Sequence, residues 1–128
     1  MIDKSKLKYT ETHEWVSLDG TTARVGVTEH AQKEISDVVF VELPKIGEQV
    51  KPKESVMVVE SVKAAFDIYS PLSGTIVKAN VHLTQKPELI NQSPLADGWL
   101  YEMDCSDPAE FQALMSEDQY LRNLLRFH

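Results

Sequence analysis

The chain has 128 residues, 42% of them hydrophobic, which predicts one domain with one core over residues 1–128. Its formal net charge of −7 argues against nucleic acid or an anionic membrane surface as a partner, because both require a cationic face. The first 15 residues contain no signal-type apolar run and no stretch approaches a membrane span of ~20 residues, which indicates a cytoplasmic protein or a form already stripped of a targeting segment.

Short strands separated by turn signals dominate the first half of the chain. Residues 14–18 alternate in polarity and meet the Asp-Gly pair at 19–20, a hairpin signal, so residues 22–27 are the predicted partner strand. Thr28 is the predicted N-cap of a short helix over residues 29–35. Further strands are predicted over 38–43, 55–60, 66–69, 75–79 and 99–103.

Two other segments differ from this pattern. Residues 80–98 contain Pro87 and Pro94 and few alternating positions, which predicts a long surface loop that includes a helical turn. Residues 107–128 are predicted to be a helical tail, because capping residues begin it at Asp107 and recur at Ser116. The tail ends in an apolar stripe interpreted as a packing surface: Tyr120, Leu121, Leu124, Leu125 and Phe127.

Few residues outside the strands suggest reactive chemistry. The only cysteine, Cys105, is either a nucleophile or an unpaired thiol near a strand end, and the lack of a surrounding motif favours the thiol. No glycine-rich phosphate loop or nucleophile–base pair is visible. No metal is expected, because metal-ligand spacing is missing among the four histidines, His13, His30, His82 and His128.

The most informative segment is the valine-rich run that breaks and continues as an alternating strand. It predicts a hairpin over about 55–70 with Lys63 at or beside its tip, where the amine is exposed and reachable. Lysines are common at turns, and this one is among ten in the chain. Its neighbours Val62 and Ala64 are less expected at an exposed turn than Asn, Asp or Gly, and they favour a surface offered to a modifying enzyme.

The hairpin tip has the sequence Glu60-Ser61-Val62-Lys63-Ala64, which resembles the lipoylation site of the glycine cleavage system H-protein family. Other family-like blocks follow in family order and spacing between residues 9 and 100. These blocks are Tyr9-Thr10, His13-Glu14-Trp15, Val25-Gly26-Val27-Thr28, His30-Ala31-Gln32, Val39-Phe40-Val41-Glu42-Leu43-Pro44 with Gly47, Ile68-Tyr69-Ser70-Pro71 with Ser73-Gly74 and Asn80, and Pro87-Glu88-Leu89-Ile90-Asn91 with Pro94 and Gly98-Trp99.

The resemblance implies a mainly β fold, the barrel-sandwich hybrid of lipoyl domains, with a short helix in the N-terminal half and C-terminal helices. It implies that Lys63 carries covalent lipoate as N6-lipoyllysine. Amide formation removes the lysine charge, and the hard chemistry belongs to the cofactor. The recognition context for attachment is then Glu60, Ser61, Val62 and Ala64.

The family's activity implies a carrier and no enzyme. A PLP-dependent glycine decarboxylase loads an aminomethyl group, an aminomethyltransferase passes the one-carbon unit to tetrahydrofolate, and an FAD- and NAD-dependent dihydrolipoamide dehydrogenase reoxidises the arm. Lipoyl-attaching enzymes are further implied partners. The expected state is a soluble monomer in a bacterial-type cytoplasm or, as a mature form, in mitochondria.

The loaded arm is prone to hydrolysis, so a water-excluding groove with an anionic group for the amine is expected. Glu14 and Asp67 are the candidate carboxylates, and Thr12 and Ser70 are candidate hydroxyl contacts. The alternative is that both carboxylates are ordinary strand-surface charges.

Several alternatives stay open. A lipoyl domain of a 2-oxo acid dehydrogenase usually has Asp before the lysine, and a biotin carrier has methionine on both sides, whereas here Val62 and Ala64 flank it. An unmodified scaffold, or a lipoyl donor to other enzymes, would share the lysine motif. Departures from the family pattern occur at Ser36, at Leu95-Ala96 and in the tail, and none touches the lysine motif.

Overall fold

The structure is a computed structural model that describes residues 6–127. Its strands are β1 (Lys8–Tyr9), β2 (Glu14–Asp19), β3 (Thr22–Val27), β4 (Val38–Glu42), β5 (Gln49–Val50), β6 (Ser55–Ser61), β7 (Ala65–Tyr69), β8 (Gly74–Ala79) and β9 (Tyr101–Cys105). Its helices are α1 (Glu29–Ile35), a 3-10 helix (Val81–Thr84), α2 (Leu89–Gln92), α3 (Pro108–Gln112) and α4 (Glu117–Phe127).

The strands form two antiparallel sheets. One has the order β1-β2-β3-β9-β8-β5 and the other the order β4-β6-β7. The mainly β prediction is confirmed, and each predicted strand lies within two residues of its predicted bounds. The short strands β1 and β5 were not predicted, because two residues are too few to show an alternating pattern.

The two sheets enclose one core. Val41 and Val59 are cross-strand partners whose side chains are buried on the inner face of the smaller sheet. Val25, Ile76 and Met103 come from the larger sheet and belong to the same buried cluster. Each such apolar side chain stabilises the fold by about 1.5–3 kcal/mol when it leaves water, so the alternation of the strands is what holds the sheets face to face.

The prediction of a surface loop over 80–98 is wrong. The segment contains the 3-10 helix and α2, and it places Leu83 and Ile90 fully inside the core. Asn80 is also buried, and its side-chain amide donates to the carbonyl oxygens of Asp97 at 2.9 Å and Trp99 at 2.8 Å. These helices are too short to show a helical period in the sequence, so two single buried residues went unrecognised.

The two helices of the C-terminal tail begin at the predicted capping residues. The Asp107 carboxylate accepts from the Ala109 N–H at 3.1 Å, which begins α3. Ser116 and Gln119 exchange two hydrogen bonds of 2.9 and 3.2 Å, the reciprocal arrangement of a capping box, and this begins α4.

The tail's apolar stripe packs only in part. Tyr120 is buried and Leu124 packs against the second hydrophobic cluster, formed by Leu7, Tyr9, Trp15 and Tyr120. Leu121 and Leu125 are 50% and 84% exposed, so for these two the packing prediction is wrong. The side chain of Phe127 and the whole of His128 lie outside the described residues. The reason for the partial burial is that α4 contacts the sheet along one narrow side.

The packing of Trp15 on Gly26 gives a test of the core. A Cβ on Gly26 would lie 2.5 Å from the indole of Trp15, whose ring is fully buried and fixed by a 2.9 Å hydrogen bond to the Pro94 carbonyl. We expect Gly26→Ala to lower the free energy of unfolding by about 1–3 kcal/mol in urea denaturation. Thr22→Ala, at an exposed position of the same strand, is the control and should cost less than about 1 kcal/mol. Equal effects would contradict the packing argument.

Candidate functional site

Lys63 lies at the tip of the β6–β7 hairpin, where its side chain is exposed. The turn closes through Ser61, whose N–H donates to the Ala64 carbonyl at 2.9 Å. The Ser61 hydroxyl oxygen accepts from the backbone N–H groups of Lys63 at 3.0 Å and Ala64 at 3.2 Å. The side chain of Ser61 therefore stabilises a tight turn of the kind that usually contains glycine or asparagine.

The surroundings of the Lys63 amine are sparse. Its Nζ donates at 3.4 Å to the carbonyl of Glu34, near the C-terminal end of α1 where the helix dipole favours a cation. Among the described residues, Lys63 takes part in no ion pair. Val62 beside it is 68% exposed, and its backbone N–H donates to the Asp37 carbonyl at 3.0 Å. The tip is thus a hydrogen-bonded backbone turn that presents an exposed amine.

A second feature is a cavity of about 480 Å³ at the connection between β1 and β2. Glu14 is its most buried charged group, with 1% of the residue exposed. The cavity is formed by the first strands, the β5–β6 and β7–β8 connections and the tail. Its lining consists of Tyr9, Thr10, Glu11, Thr12, Glu14, Pro52, Lys53, Tyr69, Ser70, Pro71, Ala113, Leu114 and Met115.

The Glu14 carboxylate is held on one oxygen by two hydroxyls. Thr10 Oγ1 and Thr12 Oγ1 each donate to Glu14 Oε1 at 2.5 Å. Within residues 6–127, the other oxygen, Oε2, accepts only the N–H of Tyr69 at 3.4 Å. One oxygen is therefore saturated and the other is available to a further donor in the cavity.

Burial decides the charge state of this region. It raises the pKa of Glu14, and the hydrogen bonds from Thr10, Thr12 and Tyr69 oppose that rise. Burial, together with the charge of Glu14, also raises the pKa of the Tyr101 phenol, which stays neutral. A positively charged amine in the cavity would favour the ionised carboxylate, because its opposite charge compensates for the hydration that burial removes.

The structure brings together three of the four residues predicted to shield cargo. Glu14, Thr12 and Ser70 all line the cavity, although the Ser70 hydroxyl donates to the Leu72 carbonyl at 2.7 Å. Asp67 does not line the cavity; it is exposed, and its carboxylate accepts from Ser55 Oγ at 2.9 Å.

Sequence reasoning assigned no part in this cavity to Thr10 or to the tail. Thr10 also accepts the Glu14 backbone N–H at 3.0 Å, so the spacing Thr-x-Thr-x-Glu was the available signal. Met115 pairs with Tyr9 through two backbone hydrogen bonds of 2.8 and 3.1 Å, which makes the tail one wall of the cavity. No short stretch of the sequence predicts the pairing of Tyr9 with Met115, because the two residues are far apart in the chain.

The residue before Glu14 anchors the tail. His13 has a φ of 72°, and its Nδ1 lies 2.8 Å from the hydroxyl of Tyr120. The same hydroxyl lies 2.8 Å from Thr28 Oγ1, and the Tyr120 ring stacks on Tyr9 at 4.8 Å. These contacts connect α4 to β1 and to the residues just before and just after the β2–β3 hairpin.

The described residues form neither a metal site nor a membrane-spanning helix. Within residues 6–127, no group of three or more His, Cys, Asp or Glu side chains is placed to hold a metal ion. No helix in that range is long and apolar enough to cross a membrane. Cys105 is buried and unpaired, and burial raises the pKa of its thiol, which agrees with the interpretation as an unpaired thiol.

Comparison with known proteins matches the same region of the chain. A family model described as glycine cleavage H-protein matches residues 7–126. The glycine cleavage system H protein of Endomicrobium trichonymphae is 55% identical over 119 residues, covering 93% of this chain and 95% of the relative. The H protein of Thermotoga maritima is 52% identical over 113 residues, covering 88% and 91%.

A solved structure agrees with the fold. The crystal structure of a glycine cleavage system H protein from Mycobacterium marinum superimposes with a TM-score of 0.85 at 33% identity, covering 94% of this chain and 97% of the other. The fold is therefore the barrel-sandwich hybrid, as predicted, and the family and structure matches place the chain in the class of lipoyl carrier domains. The chain belongs to the glycine cleavage H-protein family.

The buried carboxylate predicts a pH dependence of stability. The folded-state pKa of Glu14 is raised above its ordinary value of 4.5, so the folded protein holds this proton more tightly than the unfolded chain does. As the pH rises from about 4.5 through the folded-state pKa, this group therefore lowers the free energy of unfolding. We expect Glu14→Gln to gain stability relative to the parent over that window in urea titrations. Glu48→Gln, at an exposed position, is the control; a Glu14→Gln difference that stays flat with pH would contradict the expectation.

Proposed function

We propose that this chain is a lipoyl-bearing shuttle of the glycine cleavage system, with lipoate in amide linkage to Lys63. The observation that carries the proposal is the exposed lysine on a rigid hairpin tip in a member of this family. An alternative is an H-like lipoyl donor to other enzymes, and another is an unmodified scaffold.

The residues at the tip fit covalent lipoate. In the part of the chain that the structure describes, the Lys63 amine makes one long contact to a backbone carbonyl and no ion pair, so acylation breaks no strong interaction there. Ser61 holds the backbone of the turn and leaves the side chain free to point away from the sheet. When bound, lipoate supplies a dithiolane for redox and group-transfer chemistry. Glu60, Val62 and Ala64 complete the proposed recognition context.

A second part of the proposal concerns the enzymes that act on the attached arm. The shuttle carries the aminomethyl group from a PLP-dependent glycine decarboxylase to a tetrahydrofolate-dependent aminomethyltransferase, and an FAD- and NAD-dependent dihydrolipoamide dehydrogenase reoxidises it. The chain itself contributes a tether and a surface, and no catalytic residue is assigned to it. The relatives named H proteins support this assignment. The proposed state is a monomer in the cytoplasm of a bacterial-type cell.

The cavity around Glu14 is the proposed shelter for the amine of the cargo. Its Oε2 atom is available, and Thr10 and Thr12 keep the carboxylate oriented from the other side. An amine that donates to Oε2 would offset the cost of burying both charges. Ser70 is placed in the same lining, and Asp67 is the second candidate carboxylate, outside it.

Intact-mass measurement of the protein from its native cell tests the tether. We expect a lipoyl mass increment in the parent that is lost in Lys63→Arg, because arginine cannot form the amide. Lys53→Arg, another exposed loop lysine, is the control and should keep the increment. Absence of the increment from the parent would favour the scaffold. An increment without loading by glycine decarboxylase would favour the lipoyl donor.

A second experiment tests the shelter. We expect the aminomethyl cargo to be lost several-fold faster from Glu14→Gln than from the parent, because the neutral amide leaves the buried amine without a counter-charge. Asp67→Asn should have a smaller effect, since water already reaches that carboxylate. Release is followed as formaldehyde and ammonia over time. Rates equal to the parent in both variants would contradict the shelter at Glu14 and at Asp67.

A further inference from the structure

The outward face of the smaller sheet combines apolar side chains with carboxylates beside Lys63. Directly opposed residues of an antiparallel sheet point to the same side. The register therefore places two rows on this face: Phe40, Glu60 and Ala65 in the row nearer Lys63, and Glu42, Val58 and Asp67 in the next row. All six are exposed or half-buried, whereas the intervening row begins with the buried Val41 and Val59.

A bulge makes this face more apolar than a regular strand would. The pairing of β4 with β6 shifts between Val38 and Phe40, so that Val39 is an extra residue. Val39 and Phe40 are consecutive, yet they are 55% and 54% exposed. In a regular strand, one of two consecutive residues would face the core. Val39 and Phe40 lie on the edge strand β4, and Val62, which is 68% exposed, lies in the turn next to the lysine. Together they place three exposed apolar side chains near Lys63.

The charges on this face have one sign. Glu42, Glu60 and Asp67 lie on it, and β4, β6 and β7 contain no Lys or Arg. Within the hairpin, residues 55–70, the one Lys or Arg is Lys63 at the tip, and acylation removes its charge. A partner surface that fits this face is apolar at its centre and cationic at its rim.

The short side chain of the unmodified lysine indicates which of the proposed partner enzymes has to bind this face. Its amine stands on a four-carbon stem, so an enzyme that acylates it has to bring its own surface against the hairpin. Enzymes that act at the end of an attached arm are not held to that distance. We propose that this face, with Phe40 as its anchor, is the docking surface of the lipoate-attaching enzyme, which presents an apolar pocket rimmed by Lys or Arg.

This inference rests on the proposed attachment of lipoate to Lys63. In that step the neutral Nζ attacks the carboxyl carbon of lipoyl adenylate, the new C–N bond displaces AMP, and the nitrogen gives up one proton. Docking through Phe40 lowers the KM for the carrier, and the chemistry at Nζ is unchanged by it.

The test is acylation of the unmodified chain by purified lipoate ligase with lipoate and ATP, followed by intact mass. We expect Phe40→Ser to raise the KM for the chain by about tenfold or more with kcat nearly unchanged, as for loss of an aromatic anchor. Leu121→Ser is the matched control, since that side chain is 50% exposed on α4, and its KM should equal that of the parent. Urea denaturation shows whether each variant is folded.

A second variant tests the charge without removing the anchor. Glu42→Lys should raise KM several-fold at low salt, and the difference from the parent should shrink as salt is added. A parent that is never acylated at Lys63 overturns the proposed function together with this inference. A parent that is acylated while Phe40→Ser matches it in KM overturns the inference alone. Normal acylation of Phe40→Ser combined with poor loading by glycine decarboxylase would assign the face to that enzyme and also overturn the inference.

Discussion

A carboxylate with almost no contact with water constrains the architecture around it. Glu14 sits at the start of β2, and an ion in that position has to be given donors or be neutralised. Thr10 and Thr12 supply two hydroxyls from the preceding connection, and Tyr69 supplies an N–H from the hairpin that carries Lys63. One side chain thus connects the edge of the larger sheet with the end of the smaller one.

The C-terminal tail belongs to that arrangement. Met115 extends the sheet edge at Tyr9, and Tyr120 lies against His13 and Thr28 on either side of the β2–β3 hairpin. The tail therefore completes the cavity wall and fixes the residues that flank Glu14. A tail that is only loosely similar to the family in sequence still has a defined structural task, because that task depends on backbone pairing and one buried aromatic ring.

Local chemistry explains which features could be predicted. The hairpin at 19–20, the Thr28 cap and the strand before Lys63 each depend on neighbours within a few residues, and all are present as expected. The cavity depends on contacts between Glu14 and chain segments more than 50 residues away, and the burial of Leu83 depends on a core that no short window shows. The expectation of a sheltering groove named Glu14, Asp67, Thr12 and Ser70, of which all but Asp67 line the cavity. The part played by Thr10 and the bulge at Val39 depends on tertiary structure that the sequence does not show.

The way the hairpin turn is closed has a consequence for recognition. Among the described residues, the left-handed backbone positions are His13, Gly20, Ser36, Gly47 and Lys53, and none lies in the tip. The turn at Lys63 contains no glycine and no residue with a positive φ, and hydrogen bonds to the Ser61 hydroxyl stabilise its backbone. A partner that closes on it therefore orders only the lysine side chain and loses little backbone entropy in doing so. The hairpin tip is therefore preorganised, and binding to it has a small cost in conformational entropy.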